Sequence, residues 1–178
     1  MRVALIAAFT LLPLTPLGGQ APFEACLDRQ GQPVRNQELD DARYPAMAGI
    51  GSDGKPVIWW NRRALGALSD AGKIYIYLHE CGHVMLRHAH QFPSSLGQRA
   101  IKEREADCWA YQLLSESGMF KGRHFEAVSH EWRSSPGDAT HLGGERLLAW
   151  WDECAEAKTD AKRWRPVLDS LLVASHDS

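Results

Sequence analysis

The sequence predicts an α+β domain that is mainly helical, with one β-hairpin lying beside a pair of packed helices. Three observations predict it. Helical patterning runs from Ala71 to Leu86, with Ile74, Tyr75, Leu78, Val84, Met85 and Leu86 as its apolar set. A second helical run opens at Ser95 and continues to about Ser117. Two short apolar runs, Ala46–Gly51 and Pro56–Trp60, flank Ser52-Asp53-Gly54-Lys55, and Asp-Gly between apolar runs is a hairpin signal. The 178 residues suit a single domain, and 44% hydrophobic content is ordinary for a globular one. A net charge of −2 gives no basic footprint, so no nucleic-acid partner is expected.

Taken in order, residues 1–21 read as a secretory signal, leaving 22–178 as the domain. Arg2 precedes an apolar run from Val3 to Leu17, and small residues follow at Gly18, Gly19 and Ala21. The run is short of the roughly 20 residues that span a bilayer, and Pro13 and Pro16 interrupt it. A retained N-terminal anchor is the alternative. No other segment is suited to cross a membrane. In an exported chain, Cys26, Cys81, Cys108 and Cys154 admit three pairings. Cys81–Cys108 would lock the two long helices at a fixed spacing, and Cys26–Cys154 would tie the termini. Small buried hydrophobes are the other reading of the same residues.

Gln30 to Tyr44 is polar and reads as loop with a short helix at Asn36 to Arg43, ended by Pro45. In the hairpin, Trp59 and Trp60 point to opposite faces, one for the core and one free to line a cleft. Ser69 and Asp70 are N-cap candidates for the first long helix, which Pro93 closes. Ser95 with Gln98 forms a capping box for the second, and Gly118 stops it. Its core face comprises Ile101, Ala106, Trp109, Ala110, Leu113 and Leu114. Phe120 to Trp132 reads as a further helix with Phe125, Val128 and Trp132 inward, and His124 and His130 as surface residues. Ser134 to Asp138 is a loop. A helix from Gly143 to Ala157 and a last short one near Pro166 complete the chain.

The chemistry concentrates in His79-Glu80-Cys81-Gly82-His83, a His-Glu-x-x-His sequence inside the first long helix. Residues four apart share a helix face, so His79 and His83 can grip one metal ion. Glu80 lies about 100° round from His79. Its carboxylate therefore falls beside the metal's open position, where it can take a proton from water. Zinc lowers the pKa of such a water to roughly 7. Catalytic zinc takes three protein ligands. Glu103 supplies the third, from Glu103-Arg104-Glu105-Ala106-Asp107. Asp107, four residues on and on the same face, can accept the free ring N–H of a ligand histidine. Glu105 points away. His88, about 140° off the metal face, reads as a neighbour of the site or a surface residue. Histidines packed on a helix beside a solvated charged face are the bland alternative.

These residues, with Arg87-His88, Thr140-His141 and Arg146, resemble a known family. It is the gluzincin metallopeptidase family 48, which includes the CAAX prenyl endopeptidases, the HtpX heat-shock protease and the BepA-type periplasmic proteins. The resemblance spans Ile74 to Arg146 and departs from the Thr-His-Pro pattern at Leu142. It implies a zincin-like domain holding one zinc ion and an edge strand, Val57 to Trp60, that pairs with an extended substrate backbone. It also implies that His141 reaches the cleft, either to donate to the oxyanion of the attacked carbonyl or to cap the metal. Arg146 would anchor its helix through Asp107 or a neighbouring carboxylate; a plain surface arginine is as compatible with the sequence.

The resulting expectation is an exported zinc-dependent endopeptidase with Glu80 as general base. Its substrate would be a peptide or unfolded protein, and a partner protein could complete the cleft. The alternative is a latent zinc-binding, chaperone-like or quality-control protein closed by the His141 loop. A structural domain with chance motifs would hold no stoichiometric metal.

Overall fold

A computed structural model describes residues 26–39, 44–91, 93, 95–118 and 122–154. The expected signal at 1–21 and the tail helix near Pro166 lie outside them. The chain order is β1 (Arg35–Glu38), β2 (Ala46–Ile50), β3 (Pro56–Trp60), α1 (Arg62–Gly66), α2 (Asp70–Met85), a 3₁₀ turn at His88–His90, α3 (Leu96–Ser117), α4 (Arg123–Arg133) and α5 (Gly144–Cys154). The architecture is the expected mainly helical α+β arrangement, with a three-stranded sheet beside a helix pair.

The hairpin forms as its turn chemistry dictates. Gly54 adopts φ 75°, which glycine reaches without a steric penalty, and Gly51 N–H donates to Lys55 O at 2.9 Å. β2 pairs antiparallel with β3, Ala46 opposite Trp60 and Ile50 opposite Pro56. β1 then pairs with β3 in parallel, Arg35 beside Val57. The sheet order is therefore β1-β3-β2. Two expectations fall here. Residues 36–38 are strand, not helix, and Val57 to Trp60 is the middle strand, with both edges occupied. Cross-strand pairing overrides the weak local preference of Arg-Asn-Gln-Glu, whose mostly exposed side chains carry no apolar alternation. The edge lying against α2 belongs to β2.

α2 is the central helix. Ser69 Oγ accepts from Gly72 N at 3.1 Å, and Glu131 Oε1 accepts from Ser69 N at 2.5 Å, placing an acidic group at the positive end of the helix. Its side chains are buried on most faces, with Ile74, Tyr75, Tyr77, Leu78 and Val84 in the core. α3 crosses it closely at Gly82. A Cβ there would stand 3.3 Å from both Cα and O of Ala106, so glycine sets how near the two backbones come. α3 begins at the Ser95 cap and ends at Gly118 with φ 79°. Ile101 is 52% exposed, so the core face starts later than expected, at Ala106. α2 also ends before Pro93. Arg87 takes a left-handed conformation (φ 62°, ψ 23°) and turns the chain back.

The disulfides are Cys26–Cys81 and Cys108–Cys154, not the expected Cys81–Cys108 and Cys26–Cys154. Helix geometry gives the reason. Gly82 faces α3, so Cys81 sits about 100° away and meets the N-terminal segment; Cys108, two residues past Ala106, is turned by roughly 200° toward α5. Among the described residues no helix is long and apolar enough to cross a membrane.

Candidate metal centre

α2 and α3 bring three donors to one point. His79 Nε2 and His83 Nε2 are 3.1 Å apart, and Glu103 Oε2 lies 3.2 Å from the first and 3.0 Å from the second. These three atoms form a group that could hold a metal ion. The triangle suits a small divalent cation. Four-coordinate bonds of about 2.0–2.2 Å place neighbouring donors about 3.3–3.6 Å apart, a few tenths of an ångström from the spacing present. The close approach at Gly82 is what allows a carboxylate from one helix to meet two imidazoles from the other.

Each imidazole is oriented through its other nitrogen. His79 Nδ1 donates to Asp107 Oδ1 at 2.7 Å, which leaves Nε2 with the lone pair that metal ligation needs. Tyr75 OH donates to the same Asp107 oxygen at 2.9 Å and accepts from Trp151 Nε1 at 3.1 Å. All four side chains of this chain are buried. His83 Nδ1 faces His88 Nδ1 at 3.1 Å, and His88 Nε2 lies 3.0 Å from Glu105 Oε2.

The electrostatics follow from burial and charge pairing. Burial pulls the His79 pKa down, but the Asp107 carboxylate outweighs it and holds the imidazole well above its usual range. Burial raises Glu103, yet hydrogen bonds from His141, His79 and His83 bring it far below a normal carboxylate. Tyr75 is raised by burial and by the charge of Asp107. His88 is pushed down to about 4 by burial and by the neighbouring His83, so it is neutral and its contact with Glu105 is a hydrogen bond.

Glu80 is buried at the edge of the same group. Its Oε2 accepts from Ala48 N of β2 at 2.6 Å, which fastens the motif helix to the sheet edge. A cleft of about 280 Å³ opens here, lined by His79 and Glu80 with Tyr44, Ile76, Trp132 and Leu142.

His141 reaches this cleft. Its Nε2 is 3.1 Å from Glu103 Oε2, and Asp138 Oδ1 accepts from its backbone N–H at 2.8 Å. The bond to Glu103 raises the His141 pKa to about 9 against the opposing effect of burial. Partial burial raises Asp138, but donation from the backbone of His141 and Thr140 holds it well below the usual range.

Arg146 does not join the group. It is exposed on α5, while Asp107 is buried and engaged by His79 and Tyr75. His130 is exposed, as its sequence context suggests. Tyr75 and Trp151 were not foreseen as site residues. Tyr75 is four residues before His79, so its shared helix face was a usable signal; Trp151 offered none. Glu105 points away from the donor group, as expected, and contacts His88. No family model matches the chain, and no characterised protein or solved structure is matched by it either.

Proposed function

We propose that the protein is a zinc-dependent endopeptidase of gluzincin type that works outside the cytoplasm on peptides or unfolded chains. The observation carrying this reading is the convergence of His79, His83 and Glu103 within 3.0–3.2 Å, with Glu80 alongside in an open cleft. Zinc, when bound by these three residues, supplies Lewis acidity toward a carbonyl and makes a water molecule acidic near neutral pH.

The chain supplies the rest. Glu80 is positioned to take a proton from the attacking water and pass it to the leaving amine. Its bond from Ala48 N keeps the carboxylate from swinging out of the cleft. Apart from Ala48 N, which Glu80 holds, the outer edge of β2, Ala46 to Ile50, offers main-chain groups to an extended peptide beside the reacting centre, a mode of binding that is indifferent to side-chain sequence. His141 donates toward the carbonyl oxygen as it gains charge. Two disulfides fit an oxidising compartment.

Glu80→Gln tests the mechanism. The amide keeps an acceptor for Ala48 N–H but has no basicity. Casein cleavage should fall by about 10²–10⁴-fold while one zinc per chain is retained. Cleavage at the wild-type rate would remove Glu80 from the mechanism.

One observation favours a second reading, a latent protein whose site is closed by its own loop. His141 Nε2 already lies 3.1 Å from Glu103, engaging one of the three donor side chains. The two readings give opposite signs for His141→Ala: a gain in cleavage supports latency, and a loss supports the donor role.

A further inference from the structure

We propose that His88 and Glu105 act as a positioning pair for His83, fixing its ring proton on Nδ1 so that Nε2 is kept as a cation donor. The proposal rests on reading the His79–His83–Glu103 group as a cation centre.

Two ring nitrogens 3.1 Å apart, His83 Nδ1 and His88 Nδ1, need one proton between them, carried by one ring and accepted by the other. Glu105 decides which. Its carboxylate can only accept, and it lies 3.0 Å from His88 Nε2, so His88 carries its proton there. A ring that keeps its one proton at Nε2 presents a lone pair at Nδ1. The shared proton therefore belongs to His83 Nδ1, and the His83 lone pair is left at Nε2, the atom facing His79 and Glu103.

The fold builds this arm separately from the one serving His79. On a continued helix His88 would be turned about 140° from the donor face. The left-handed Arg87 and the 3₁₀ turn after it bring the ring back over His83 instead. The His88 side chain is 7% exposed, which shields the contact from water. α3 thus answers three imidazoles with alternate acidic residues: Glu103 joins His79 and His83 at the centre, Asp107 orients His79, and Glu105 orients His88 and through it His83.

The test uses the full chain, zinc and a competing chromophoric chelator. His88→Leu should weaken zinc binding by about ten-fold or more, the usual cost of removing a partner of a ligand histidine. His88→Gln should restore affinity to within about three-fold of wild type, because its amide oxygen can accept from His83 and its NH₂ can donate to Glu105. Glu105→Ala, at a side chain 55% exposed, leaves folding intact and should weaken binding by about three-fold. In zinc-loaded protein the His83 Hδ1 resonance should exchange slowly with water in wild type and His88→Gln, and be lost from the spectrum in His88→Leu. Wild-type affinity in His88→Leu and Glu105→Ala, with the Hδ1 signal preserved, overturns the proposal while leaving the cation centre standing. Wild-type protein that retains no zinc after dialysis overturns the cation centre itself, and this proposal with it.

Discussion

Asp107→Asn isolates the charge behind His79 with almost no change in shape. In the wild type, Asp107 Oδ1 accepts from His79 Nδ1 at 2.7 Å and from Tyr75 OH at 2.9 Å, in a buried setting. A hydrogen bond to a charged acceptor contributes about 1.5–3 kcal/mol, and one to a neutral acceptor about 0.5–1.5. The difference of about 1–1.5 kcal/mol corresponds to roughly ten-fold in zinc affinity. Protons oppose this gain. The same carboxylate holds the His79 pKa well above its normal value, so below that pKa the wild type must release a proton to bind metal. The mutant imidazole protonates less readily and meets less competition. The wild-type advantage should therefore be greatest at alkaline pH and shrink as pH falls. Chelator competition between pH 6 and 9, with circular dichroism to confirm folding, measures it. An affinity ratio that is flat across that range, or within two-fold of unity at its alkaline end, would refute the coupling between Asp107 and the metal donor.

Three further outcomes follow from the geometry. In metal-free protein the His141 ring should titrate near 9, since the bond to Glu103 holds it up. That raised pKa favours the folded loop, with the contribution complete below about 6.5, the unfolded value, and lost as pH rises through 9. NMR titration of the ring protons checks it; a midpoint at 6.5 would mean that the contact with Glu103 does not persist in solution. Gly82→Val places a side chain against the Ala106 backbone, 3.3 Å from where its Cβ would stand, and should cost about 1–3 kcal/mol in urea unfolding. It should weaken zinc binding too, by moving Glu103 away from the histidine pair. Replacing both Cys108 and Cys154 with serine opens a loop of sequence separation 46, a loss of about 4 kcal/mol by chain entropy. A decrease below about 1 kcal/mol would show that this cross-link does not constrain the unfolded chain.

The sequence made the donor helices legible because their signals are local. Ser69 and Ser95 cap where cap chemistry puts them, Gly118 stops α3, and four-residue spacing carries both His79 with His83 and Glu103 with Asp107. The hairpin was legible for the same reason, through Asp53-Gly54. What escaped depends on contacts between distant segments. β1 is a polar tetrapeptide that becomes a strand only because β3 offers it an edge. The cysteine partners follow from the rotation of each residue about its helix, which spacing alone does not give once the α2–α3 contact face is unknown. Glu105 is turned from the donor centre, as its spacing predicts; its meeting with His88 was not legible, because the left-handed backbone of Arg87 is what brings His88 round to it. Arg146 illustrates the converse: the family resemblance implied a carboxylate partner, and the helix carries it outward.

The two cross-links close in succession along the chain and do not interlock: one ring ends at Cys81 and the next opens at Cys108. The sheet, α1, His79 and Glu80 lie within the first; α4, α5 and the His141 loop lie within the second. The stretch 82–107, carrying His83, His88 and Glu103, belongs to neither. The chain is thus two bridged stretches joined by an unbridged one, and the cation donors come from the first of these (His79) and from the connecting stretch (His83 and Glu103). A single backbone cut between His83 and Glu103 would leave two internally bridged pieces held to each other without covalent bonds, with two imidazole donors on one and the carboxylate donor on the other.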